Sequence, residues 1–127
     1  MKAILDTNLL VAEALPHHDY EMAVSSLSWA ELAYGVRKVT DPIERAHRES
    51  RIARLRAVLG PGVPFDDAAA EAYETVCGLV LAGGREVRGR AIDLMIAATA
   101  AAHGAVVITR NTDDFVGLDG FITVITA

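Results

Sequence analysis

Apolar positions along this chain fall in two kinds of segment, short continuous runs and longer stretches at helical spacing, and the two alternate. Ala3–Leu5 is a short run ending at Asp6 and predicts a buried strand. Leu9–Leu15 predicts a short helix stopped by Pro16, with a loop over 16–20. Ala23-Val24-Ser25 predicts a weak second strand. Ser28-Trp29-Ala30-Glu31 has capping-box spacing and opens a helix through Val39. In Asp41-Pro42-Ile43-Glu44 a capping aspartate precedes proline at the first helical position, with glutamate three residues after the cap. Ile43, Ile52, Leu55 and Leu59 are expected on one face of that helix, which Gly60-Pro61 ends. Val63-Pro64-Phe65 predicts a third strand, at an edge because of its proline. Asp66 caps a helix to Ala82, terminated by Gly83-Gly84. Ala91–His103 is an alanine-rich helix ended by Gly104; Ala105–Thr109 and Ile122–Ile125 are the last strands.

This alternation predicts the α/β class: one domain over residues 1–127, with a mostly parallel central sheet flanked by helices. A chain of 127 residues, 52% hydrophobic and 23% charged, has the length and composition to bury its own core. Its one cysteine, Cys77, permits neither an internal disulfide nor a CxxC zinc pattern, so a reducing cytoplasm is the expected home. The most apolar stretch, Leu94–Ala102, is far below bilayer length and reads as a buried helix, so no membrane association is expected.

The net charge of −5 argues mildly against nucleic-acid binding. Its distribution says more. Ten of the twelve basic residues lie in two windows, Arg37 to Arg56 and Arg85 to Arg90. Such windows are either solvated helix faces or a phosphate-contacting rim around an acidic centre.

The acidic residues favour the rim. In a parallel sheet, functional side chains gather beyond the carboxyl ends of the strands. Asp6 ends the first strand, Glu31 follows the second, Asp93 begins the helix leading into Ala105–Thr109, and Asp113 and Asp114 follow that strand. Asp6 and Asp93 have apolar neighbours, and a carboxylate near a core is costly unless paired, hydrogen-bonded or bound to a metal. The only lysines are Lys2 and Lys38, neither of them near these acids. An all-oxygen donor set without thiolates suits Mg²⁺, with Mn²⁺ the alternative. Each acid also has a structural reading: Asp6 as a helix cap, Glu31 as the capping-box partner of Ser28, Asp113 or Asp114 in an Asx turn. The functional reading rests on all of them meeting at one sheet edge.

The same residues resemble those of a known family. Ile4-Leu5-Asp6-Thr7-Asn8 resembles the opening motif of PIN domains. Ser28-Trp29-Ala30-Glu31-Leu32 with Gly35 resembles their second motif, Arg90 to Ala100 the third, and Thr109-Arg110-Asn111-Thr112-Asp113-Asp114-Phe115 the fourth. Motif order, spacing and chain length resemble those of VapC toxins over nearly the whole chain.

The resemblance implies a Mg²⁺-dependent endoribonuclease that inhibits translation by cutting RNA, often tRNA or rRNA. It also implies a cognate VapB-like antitoxin and homodimer assembly. By position, Asp6, Glu31, Asp93 and Asp114 take the catalytic roles, with Asp6, Asp93 and Asp114 on the metal. Asp113 is an extra acid beside the last. Asn8, Thr109 and Asn111 are candidates to support the ligands; Arg90 and Arg110 are candidates to hold RNA phosphates or balance the acids. Trp29 and Tyr34 have two readings, stacking on bases or packing in core and dimer contacts. The long helix from Pro42 and the one carrying Val76, Leu79 and Val80 are expected to form the antitoxin groove. The four histidines, His17, His18, His47 and His103, are expected in loops and on the surface.

Rival readings are a haloacid-dehalogenase-like phosphatase and a catalytically silent metal- or partner-binding module. The first needs a second aspartate where Asn8 stands, and a mid-chain lysine. A signalling receiver domain needs a lysine after the fifth strand, and none follows Lys38.

Overall fold

The computed structural model describes residues 1–12 and 14–127. Four parallel strands form one sheet: β1 (Lys2–Leu5), β2 (Glu21–Ala23), β3 (Val106–Thr109) and β4 (Val124–Thr126), in the order β2-β1-β3-β4. Ala3 pairs with Met22 on one side of β1 and with Val106 on the other. Strand β1 is therefore central, and the chain leaves it towards β2 on one side but later fills β3 and β4 on the other. That reversal makes the carboxyl ends of β1 and β3 the switch point of the sheet, where ligands of open α/β sheets bind.

Helices cover both faces. Ile4 and Val107 turn to one face and pack with Val76 and Val80 of α4 (Asp67–Ala82) and Leu94, Ile96 and Ala97 of α5 (Ala91–Ala102). Ala3, Leu5, Val106 and Ile108 turn to the other. There they meet Leu9 and Leu10 of α1 (Thr7–Leu10), Trp29 of α2 (Ser26–Lys38) and Leu55 of α3 (Pro42–Leu59). The alanines of α5 let it lie close on the sheet, and Ala97, Ala98 and Ala100 are fully buried.

Local signals set several boundaries as the sequence implies. Asp41 accepts from the Glu44 N–H at 3.3 Å, and Asp66 from the Ala69 N–H at 3.0 Å. Gly104 has φ 65, a left-handed turn suited to glycine beyond the end of α5.

Elsewhere tertiary contacts moved the boundaries. The helix expected over Leu9–Leu15 is one turn, Thr7–Leu10, whose start is set by the Asp6 cap; Glu13 lies outside the described residues. The second strand ends at Ala23, and Ser25, not Ser28, caps α2, accepting from the Leu27 N–H at 3.1 Å. Val63-Pro64-Phe65 forms no strand. It keeps one bridge, Ser25 to Val63, whose backbone bonds bring Gly62 so close that a Cβ there would sit 2.6 Å from Ser26 Cα. The final strand begins at Val124, two residues later than expected. Ile43 leaves the expected face of α3 and is 70% exposed, while Leu55 is buried. Helices α3 and α4 form no common groove, because they cover opposite faces of the sheet. No described helix is long and apolar enough to cross a membrane.

Candidate functional site

Asp6 occupies the switch point. Its backbone N–H donates to Ile108 O at 2.9 Å, extending the β1–β3 ladder, and its residue is only 2% exposed. The carboxylate is held on both oxygens: the Thr7 N–H donates to Oδ1 at 2.9 Å and the Thr109 hydroxyl to Oδ2 at 2.8 Å. The cap reading and the site reading of Asp6 thus describe one geometry. One oxygen starts α1 while the other crosses to the end of β3. Burial pushes its carboxyl above the usual range; the Thr109 and Thr7 bonds pull it down, and Asp114 and Glu31 push it up.

The turn after β3 supplies the next acid. The Asn111 N–H donates to Thr109 Oγ1 at 3.0 Å, and the Asn111 amide donates to Asp114 Oδ2 at 2.9 Å. Thr109 and Asn111 therefore connect Asp6 to Asp114 through hydrogen bonds. Asp114 is half-buried and acts on both Asp6 and Asp93, whereas Asp113 is exposed and acts on neither. Of the adjacent pair, Asp114 is the one that joins the centre.

Asp93 stands in the first turn of α5, three residues after the Arg90 cap position. Its carboxyl is pushed up to about 6, mainly by burial and then by Asp6, Asp114 and Glu31; Arg90 pulls the other way. Arg90 is its cationic neighbour, yet among the described residues neither Arg90 nor Arg110 forms an ion pair.

Glu31 is not the capping-box partner of Ser28. With the cap at Ser25, its carboxylate instead accepts from the Thr7 hydroxyl at 2.7 Å, and Ser28 Oγ stands 2.8 Å from that same hydroxyl. Thr7 and Ser28 are the site residues that sequence reading passed over. The only signal was a threonine directly after Asp6, which is undistinguished without the fold. Asn8 follows Thr7 in α1, and its side-chain oxygen is buried without a hydrogen-bond partner; among the described residues no hydrogen bond joins it to the acids.

The four acids share one electrostatic centre with no lysine, and their donor atoms are all oxygen, which fits a hard divalent cation. Among the described residues no three His, Cys, Asp or Glu side chains already stand close enough together to hold a metal ion. Trp29 is buried in the core under Arg56, which stacks 5.1 Å from its ring centroid, so it is not a base-stacking surface; Tyr34 is 66% exposed. A groove of about 500 Å³ opens beside the acids, from Thr7 and Glu31 along Leu32 and Val36 to Arg51, Ile52 and Leu55.

Known proteins share this fold. The PIN domain family model matches residues 3–120. Over 100 residues the chain is 35% identical to the VapC ribonuclease Y4jK of Sinorhizobium fredii, covering 76% of this chain and 70% of that one. VapBC-5 of Mycobacterium tuberculosis, from the VapBC family of toxin–antitoxin systems, has a TM-score of 0.82 at 31% identity, over 99% of this chain and 98% of that one. FitAcB of Neisseria gonorrhoeae has a TM-score of 0.80 at 25% identity, over 97% and 96%. The phosphatase and receiver alternatives lose their footing against a match of this extent. With Asp6 at the switch point and Asp93 and Asp114 around it, this chain belongs to the PIN-domain family, in its VapC branch.

Proposed function

We propose that this chain is a cytoplasmic, Mg²⁺-dependent endoribonuclease and the toxin of a toxin–antitoxin pair, hydrolysing RNA phosphodiester bonds and so inhibiting translation. The observation that carries the reading is Asp6: a carboxylate 2% exposed, at the sheet's switch point, with three further acids raising the energy of the shared negative charge. A charge buried with others of its own sign is unfavourable unless a counter-ion completes it.

Asp6, Asp93 and Asp114 are the residues that would hold the cation, with Mn²⁺ an acceptable substitute. When bound, it supplies neutralisation of phosphate charge and a water that ionises near neutral pH. The protein's own groups do the rest. Thr109 fixes Asp6 from β3, and Asn111 fixes Asp114 from the turn. Glu31 spends Oε1 on the Thr7 hydroxyl, so Oε2 remains to take a proton from the attacking water. Arg90 and Arg110 flank the acids and bind the phosphates on either side of the cut. Asn8 holds a buried side-chain oxygen without a protein partner, which a bound water would satisfy.

A VapB-like antitoxin is the partner this reading requires, and the groove from Glu31 to Leu55 suits an amphipathic segment better than the α3–α4 surface first expected. The family resemblance also carries homodimer assembly and tRNA or rRNA as the target.

The test is cleavage of total cellular RNA by the purified chain, with Mg²⁺ or EDTA, beside Asp6→Asn. Discrete fragments that need both Mg²⁺ and Asp6 are expected. Intact RNA in every lane from folded, antitoxin-free protein would overturn the broad ribonuclease reading and favour a silent binding module.

A further inference from the structure

Thr7 touches two of the four acids. Its backbone N–H donates to Asp6 Oδ1 at 2.9 Å, and its hydroxyl donates to Glu31 Oε1 at 2.7 Å. The hydroxyl of Ser28 lies 2.8 Å from the same Thr7 oxygen. A threonine hydroxyl carries one proton. With that proton on Glu31, the Ser28 contact can run only one way, and Ser28 must donate to Thr7. Ser28 is fully buried, so water does not compete for its proton. The result is a directed chain, Ser28 to Thr7 to Glu31, ending on a carboxylate. Bonds in such a chain polarise one another, and the last is charge-assisted.

The placement of Thr7 makes the chain informative. It is the first residue of α1, directly after its cap, so its backbone is fixed by the same turn that fixes Asp6. Glu31 comes from α2, on a separate element. Asp6 and Glu31 repel one another, and Thr7 bonds to both, to Asp6 through its N–H and to Glu31 through its hydroxyl.

We propose that Thr7 is a positioning residue of the acidic centre. The Ser28–Thr7 chain sets the Glu31 carboxylate relative to Asp6, so divalent-cation affinity depends on a hydroxyl that is not itself a ligand. This rests on the metal-dependent reading above.

The experiment titrates Mn²⁺ into the EDTA-stripped full chain by calorimetry, for the unsubstituted protein, Thr7→Val, Thr7→Ser and Ser28→Ala. A companion urea-unfolding cycle in EDTA combines Thr7→Val with Glu31→Gln. Thr7→Val should weaken Mn²⁺ binding about tenfold or more, the usual effect of losing a group that orients a ligand. Thr7→Ser should bind within about twofold of the unsubstituted chain, since it keeps the proton. In EDTA the two substitutions should be non-additive, by roughly fivefold in the unfolding constant. Equal Mn²⁺ affinity in Thr7→Val, or additive effects in EDTA, overturns the proposal and leaves the nuclease reading standing. No Mn²⁺ binding by the unsubstituted chain overturns the metal reading, and this proposal with it. Should Thr7→Val fail to fold, Ser28→Ala decides: it must weaken Mn²⁺ binding severalfold, and unchanged affinity overturns the chain.

Discussion

Replacing Asp93 by asparagine should make the cation-free protein more stable while abolishing RNA cleavage. The Asp93 carboxyl rises from its ordinary 3.8 to about 6, mainly through burial and then through Asp6, Asp114 and Glu31. At about 1.36 kcal/mol per pKa unit, this corresponds to roughly 3 kcal/mol against the charged form. Asp93 is only partly buried, and solvent screening reduces that to about 1–2 kcal/mol. The folded chain keeps the proton up to about pH 6, whereas the unfolded chain releases it near 3.8. Between those values the folded state binds more protons. The stability linked to Asp93 is therefore complete below about pH 4 and is lost as pH rises through 6. Asparagine carries no charge and should escape that loss. Urea unfolding in EDTA should show Asp93→Asn about 1–2 kcal/mol more stable than the unsubstituted chain at pH 8, with the difference nearly gone at pH 4. Added Mg²⁺ at about a hundred times its Kd stabilises a binding-competent chain by roughly 2.7 kcal/mol, so the order should then reverse. A variant less stable than the parent at pH 8 in EDTA, or equally altered at both pH values, would refute the electrostatic reasoning.

Thr109→Val removes the hydroxyl from buried Asp6 Oδ2; thermal unfolding should show a loss of about 1–3 kcal/mol, and cleavage should fall with it. Asp114→Ala should abolish cleavage and Asp113→Ala should leave it near normal in a gel assay, because only Asp114 faces the other acids. Arg110→Ala should weaken RNA binding evenly across sequences and reduce the salt slope by about one, read by fluorescence anisotropy, with unfolding unchanged. Arg90→Ala should do the same and also raise the Asp93 carboxyl further, visible as a shift in its ¹³C titration.

What the sequence settled by itself was what neighbouring residues decide. Asp41, Pro42 and Glu44 start α3 because a carboxylate oxygen can reach an N–H three residues on, whatever the rest of the chain does. The central strands were legible because a strand covered on both faces is an unbroken apolar run, and β1 and β3 are buried on both. The acids stood out as charges beside such runs. Only the tertiary structure decided what those acids touch. Glu31 and Ser28 have capping-box spacing, but Val63 holds the Ser26 N–H, α2 starts at Ser25, and Ser28 turns to Thr7 instead. The residues at 63–65 look like a strand by composition, yet only one of them bridges. Asp6 is held by Thr109, 103 residues away, and Glu31 by Thr7, 24 residues away. Hydrogen bonds over such separations depend on strand order and helix placement, which emerge from packing the whole chain rather than from any local pattern.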